Sequence, residues 1–123
     1  YDDPLADLML TTRDYESIFK RLLDLADTYA SGRILFTLGG GYSFRATPRI
    51  WAMLYLMIHD MPLAQDLPAV WREKWNSVIE YKLPHDFHDS NPGRPDIPNR
   101  QEIADRNREV TRRLLDAAGH YWF

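Results

Sequence analysis

The sequence predicts an α/β fold, mostly helical, in which one buried strand belongs to a parallel sheet. Three segments predict it: an apolar hexapeptide at residues 33–38 with glycine on both sides, an amphipathic helix before it, and a strongly apolar helix after it. The 123 residues suffice for one domain of ordinary size and are too few for two independent cores. An apolar fraction of 45% beside 27% charged residues marks a folded globular chain rather than a disordered one.

Thr11 and Thr12 offer hydroxyls to free backbone N–H groups, and Asp14 and Glu16 place negative charge in the first turn, so a helix starts here. Tyr15, Ile18, Phe19, Leu22, Leu23, Ala26 and Tyr29 recur at spacings of three and four, giving one apolar stripe that Ser31-Gly32 brings to an end. Residues 33–38, Arg-Ile-Leu-Phe-Thr-Leu, are nearly continuous in apolar character, which suits a strand covered on both faces. Such a strand needs neighbours. Gly39-Gly40-Gly41 comes next, and residues 46–59 resume a helical pattern with Pro48 tolerated in the first turn.

Residues 67–82 read as a third helix through Leu67, Val70, Trp71, Trp75, Val78 and Ile79. Residues 82–98 carry Pro84, Pro92, Gly93, Pro95 and Pro98 with few aliphatics and form a surface connection, either ordered or flexible. Asn99 with Glu102 predicts a capping box, after which Ile103, Asn107, Val110, Leu114, Leu115 and Ala118 mark a final helix stopped at Gly119. The chain is thus read as one domain portion over residues 1–123. Within it, residues 1–60 hold the strand, the glycine loop and their flanking helices, and residues 61–123 form a helical extension with a Pro-rich connection.

Composition removes several classes of function. Fifteen Lys+Arg against eighteen Asp+Glu give a net charge of −3, so no positive field draws the chain to nucleic acid or anionic lipid. The longest apolar run, residues 50–58, is nine residues long, whereas a membrane span needs roughly 20, so no membrane partner is expected. With no cysteine there are no disulfides, thiolate nucleophiles or thiolate metal sites, which fits a cytoplasmic location. Tyr1-Asp2-Asp3-Pro4 has no initiator Met and no signal-like core, and reads as a cut inside a longer protein.

Chemistry centres on the glycine triplet. In a parallel α/β sheet, ligands bind beyond the carboxyl ends of the strands, which is where Gly39-Gly40-Gly41-Tyr42 leaves residue 38. Glycines let backbone approach a ligand closely, and the Tyr42 phenol can donate a hydrogen bond to an oxygen that gains negative charge. Two other readings stay open: a tight turn on which Tyr42 merely packs, and a phosphate cradle, which lacks the Lys of a Gly-Lys-Ser/Thr loop.

Other candidates point to structure. His85 and His88 have a metal-like separation, yet a proline precedes them and no third ligand converges, so a structural or surface role and no metal site are expected. His59 and His120 read as helix-end residues, and the arginines between 106 and 113 alternate with acids as on a solvated face. Trp51, Trp71, Trp75 and Trp122 read as core or docking residues.

Taken together, Asp3-Pro4-Leu5, Leu8-Met9-Leu10-Thr11-Thr12 and Leu38-Gly39-Gly40-Gly41-Tyr42, in this order and at these distances, resemble the last third of the histone deacetylase family. The tail is similar too: Tyr81, Pro84-His85-Asp86-Phe87-His88 and Asn91-Pro92 resemble the segment before that family's final helix. Ile97-Pro98-Asn99-Arg100 and Arg106-Asn107 are most like a bacterial branch of the family, and the resemblance covers nearly the whole chain.

It implies the C-terminal fragment of an arginase–deacetylase-type three-layer fold, part of a zinc-dependent amidohydrolase that removes acetyl groups from lysine-like amines. By the same resemblance Tyr42 hydrogen-bonds the scissile carbonyl, Gly40 and Gly41 flank the acyl tunnel, and Leu5 lines it. The family's zinc ligands and its His-His pair lie upstream of this pattern, the last zinc Asp falling just before Tyr1. Asp2 and Asp3 are not ligands. Zinc is therefore expected in the complete enzyme and not on this chain, whose first partner is the missing N-terminal part. The isolated chain is expected to be inactive and to self-associate through its unpaired strand. Two rivals remain: a non-catalytic interaction or structural module in which the glycine turn is only a turn, and a two-metal arginase-like hydrolase, which the Gly-Gly-Gly-Tyr pattern argues against.

Overall fold

Helix α1, Thr12–Ala30, begins on the capping box that Thr11 and Asp14 form. The Asp14 N–H donates to Thr11 Oγ1 at 3.3 Å and the Thr11 N–H returns to Asp14 Oδ2 at 2.8 Å, so two of the helix's unpaired donors are satisfied by side chains. The other end stops where expected. Ser31 and Gly32 turn left-handed, with φ of 52° and 73°, and the Gly32 N–H closes on the Ala26 carbonyl at 3.0 Å. The computed structural model describes residues 5, 10–80, 82–89 and 96–121. They fall in two compact units, Tyr1–Pro92 and Gly93–Phe123.

In the first unit, α1 packs against α2, Thr47–Ile58, which carries Pro48 in its opening turn as the sequence predicts. Phe19 of α1, Met53 and Leu54 of α2, and Leu67 and Phe87 from the segment beyond form the buried core. Covering such side chains is what holds the 12-residue α2 in helical form, since an isolated helix under about 15 residues is marginal in water. The α1 stripe is only partly used. Phe19 and Ala26 are buried, while Ile18, Leu22 and Tyr29 stay exposed.

The predicted buried strand is corrected: residues 33–38 form no strand, and none is present among the described residues. Leu35 is 87% exposed and Leu38 65%, while Phe36 packs its ring edge-on against Phe19 with centroids 6.4 Å apart. The physical reason is that a strand exists only with a partner for its N–H and C=O groups, and the described residues offer this segment none. Its apolar character is that of a sheet segment without a sheet.

The third helix, α3, is Ala69–Asn76 and not the expected residues 67–82. Pro68 fixes its start, because a proline disfavours helical geometry in the residue before it and fits the opening of a helix. Beyond Asn76 the chain turns, with Ser77 Oγ donating to the Lys74 carbonyl at 2.6 Å. Residues 82–89 are an ordered strap rather than a loose connection. An isolated antiparallel bridge joins Asp66 to Asp86: the Leu67 N–H donates to the His85 carbonyl at 2.9 Å and the Phe87 N–H to the Gln65 carbonyl at 2.8 Å. Leu83 and Phe87 are buried beneath it.

The second unit is α4, Arg100–Ala118, continued by a short 3-10 turn, Gly119–Tyr121. The capping box expected from Asn99 and Glu102 does not form. Asn99 is left-handed, φ 57°, whereas a capping side chain needs an extended backbone to reach the first-turn N–H groups. Gly119 keeps right-handed helical angles and leads into the 3-10 turn instead of ending the helix in a left-handed cap. No helix among the described residues is long and apolar enough to cross a membrane.

Candidate functional site

The glycine loop requires glycine at two positions. Gly40 and Gly41 are left-handed, with φ of 76° and 82°, a conformation closed to most side chains. At Gly41 a Cβ would also lie 2.8 Å from Thr47 Oγ1 and 2.9 Å from its Cγ2, so the loop is pressed against the first residue of α2. Around Gly40 a Cβ would meet nothing, which makes that face open. Tyr42 comes next and is half exposed.

Residues 43–46 tie this loop to α2. The Ser43 carbonyl accepts from the Ala46 N–H at 3.1 Å and from the Thr47 N–H at 2.9 Å. One turn into the helix sits Arg49, only 5% exposed, and its guanidinium reaches three parts of the unit. Nε donates to the Arg45 carbonyl at 2.7 Å, Nη1 to the Phe87 carbonyl at 2.9 Å, and Nη2 to Asp89 Oδ1 at 2.9 Å. A buried charge must be paired and hydrogen-bonded, and this one is both.

Asp89 passes the connection to α1. Its Oδ2 accepts from the Thr12 N–H at 2.9 Å, one of the donors that a helix start leaves open, and its own N–H donates to Thr12 Oγ1 at 2.8 Å. Burial works against the charged form, but the Thr12 N–H and the Arg49 guanidinium outweigh it and hold the Asp89 carboxyl below the usual carboxylate range. His88 joins the same corner, with Nδ1 3.4 Å from Thr12 Oγ1 and Nε2 3.6 Å from Glu16 Oε2. Sequence reasoning missed this cluster. Arg49 and Thr12 lie 40 and 77 residues from Asp89, and no local pattern marks a buried Arg or the Asp that answers it.

The two histidines considered together therefore part company. His85 faces Asp66 at 3.5 Å and Asp86 at 3.1 Å across the bridge, so the third donor that the sequence did not reveal is Asp66. One imidazole and two carboxylates with ligand atoms within 4.8 Å of one another suit a divalent cation in chemistry. All three side chains are more than half exposed and belong to the 66–86 bridge rather than to the Tyr42 loop, so they do not fit a zinc serving that phenol. A cavity of about 310 Å³, walled by Pro48, Leu56, Trp71 and Phe87, lies along α2 and α3. Tyr42, Gly40 and Gly41 do not line it. Leu5 is an exposed turn residue.

The histone deacetylase domain matches residues 1–58, the stretch that includes Leu5, the glycine loop, Tyr42 and all of α2. Acetoin utilization protein AcuC of Staphylococcus xylosus is 31% identical over 125 residues, covering 100% of this chain and 31% of the relative. AcuC of Bacillus subtilis strain 168 is 32% identical over 118 residues, covering 95% of the chain and 30% of the relative, and AcuC of Staphylococcus aureus strain MRSA252 is 33% identical over 112 residues, covering 89% and 29%. No solved structure matches. The chain belongs to the histone deacetylase family, and it is AcuC-like over its whole length. It spans about 30% of the length of the curated relatives it matches. Membership carries with it the expected arginase–deacetylase fold, to which the described residues contribute helices, a loop and a strap.

Proposed function

We propose that this chain is the carboxy-terminal part of a zinc-dependent deacetylase, an amide hydrolase acting on acetyl-lysine or acetylated small amines, and that it supplies the carbonyl-polarising group. The observation that carries this reading is a half-exposed phenol at Tyr42, presented by two consecutive left-handed glycines whose path is fixed against Thr47. From there the Tyr42 O–H donates to the acyl oxygen, and its donation strengthens as that oxygen becomes an oxyanion, which is the kind of interaction that lowers a barrier. Gly40 and Gly41 leave room for an extended acyl chain beside the phenol, and Leu5 adds an apolar contact to the same passage. Zinc, when bound by the complete protein, supplies Lewis-acid polarisation and an activated water. Its ligands lie in the part of the protein that the relatives have beyond this chain, so the chain alone does not hydrolyse amides.

The test uses the complete protein on an acetyl-lysine peptide. Turnover is expected, is abolished by a zinc chelator and returns with added zinc, while the chain by itself shows none. Turnover that survives chelation, or activity in the isolated chain, contradicts the reading. The exposed Leu35, Leu38 and Tyr29 further support self-association of the isolated chain. Light scattering across a concentration series is expected to give a rising mass, and a constant monomer mass would remove that part of the proposal.

A further inference from the structure

We infer that Arg49 is a positioning residue for Tyr42, acting through the turn that joins the glycine loop to α2; this rests on the reading of Tyr42 as the carbonyl donor. Tyr42 itself is exposed and on a loop of glycines, so its place must be set by the residues just after it in the chain. Those residues form a turn closed by the Ser43 carbonyl and clamped by Arg49, whose Nε holds the Arg45 carbonyl at 2.7 Å. Arg49 in turn is fixed from outside α2, by the Phe87 carbonyl and by Asp89, and Asp89 is fixed by Thr12 at the start of α1. The loop is pinned on its other side, where Gly41 lies against Thr47 in the same first turn of α2. A planar fork with three separate acceptors holds one orientation, which the single flexible ammonium of lysine cannot reproduce. The phenol is thereby referred to a buried ion pair, and a displacement of about 1 Å at such a donor costs on the order of 100-fold in rate.

The inference is tested by a double-mutant cycle on kcat in the complete protein, with Asp89→Asn and Arg49→Lys each made alone and on the Tyr42→Phe background. Asp89→Asn keeps the side-chain shape and one of the two hydrogen bonds that the carboxylate accepts, so it carries the cycle where Arg49→Lys fails to fold. Each variant is expected to lower kcat, by about tenfold for Arg49→Lys and about threefold for Asp89→Asn, with KM nearly unchanged. On the Tyr42→Phe background both effects are expected to vanish to within about twofold, because there is no donor left to misplace. Effects that persist in full on that background show a general structural role and overturn the inference, as does an unchanged kcat in the single variants. If Tyr42→Phe alone leaves turnover intact, it is the reading of Tyr42 that fails, a result separate from the outcome of the cycle.

Discussion

Helices α1 and α4 are both 19 residues long, yet they are held by different means. α1 has a complete capping box, a left-handed stop and buried side chains at Thr12, Phe19 and Ala26. α4 has no side-chain cap and no buried residue, and its Ile103, Val110, Leu114 and Leu115 are all exposed. Along its surface it carries ion pairs: Arg112 with Glu109 and Asp116, Arg113 with Glu109, and Arg108 with Asp105. Such pairs are exposed and screened, and each contributes little. The difference teaches that an amphipathic pattern reports which face wants covering, while stability depends on whether a neighbour covers it.

The largest expected effect breaks the comparison at its core. Phe19→Ala removes a ring that Tyr15, Phe36 and the α2 core surround, and is expected to destabilise the first unit by about 3–5 kcal/mol. Leu114→Ala, at an exposed position of α4, is expected to stay within about 0.5 kcal/mol. Denaturant unfolding of the two variants measures both, and comparable losses would contradict the contrast.

A smaller effect sharpens it through pH. Asp89 has a carboxyl held below its unfolded value, so the folded state binds fewer protons there than the unfolded one, and stability rises with pH across that window. The contribution is present above the ordinary carboxylate range and lost as pH falls through the depressed value. The unfolding temperature of the first unit is expected to drop on acidification from about pH 5 to about pH 3, and Asp89→Asn is expected to flatten that drop. An equally steep drop in the variant would show that other carboxylates are responsible.

How much was legible in the sequence depends on the range of each signal. The Thr11 hydroxyl and Asp14 at the start of α1, the Ser31-Gly32 stop and Pro48 at the start of α2 depend on residues close to each other in the chain, and these are found as read. The reading failed where partners are remote. Residues 33–38 look like a buried strand because their composition is tuned to a sheet, but pairing requires another segment and none of the described residues provides it. Asn99 reads as a cap by residue type, yet its left-handed backbone turns the side chain away from that task. In the glycine loop, the left-handed turn at Gly40 and Gly41 was legible because a glycine run marks such a turn locally. The support behind them was not, since Arg49, Asp89 and Thr12 meet only after α1, α2 and the 82–89 strap have packed.

The central claim is that Tyr42 donates to the acyl oxygen in the transition state. The most direct measurement is the steady-state turnover of the complete protein and its Tyr42→Phe variant on an acetyl-lysine peptide, with zinc content and unfolding temperature measured on both. The variant loses one hydroxyl and almost no volume, so kcat is expected to fall by about 100-fold or more while zinc content and unfolding temperature stay the same. A variant that turns over at a near-normal rate would contradict the claim.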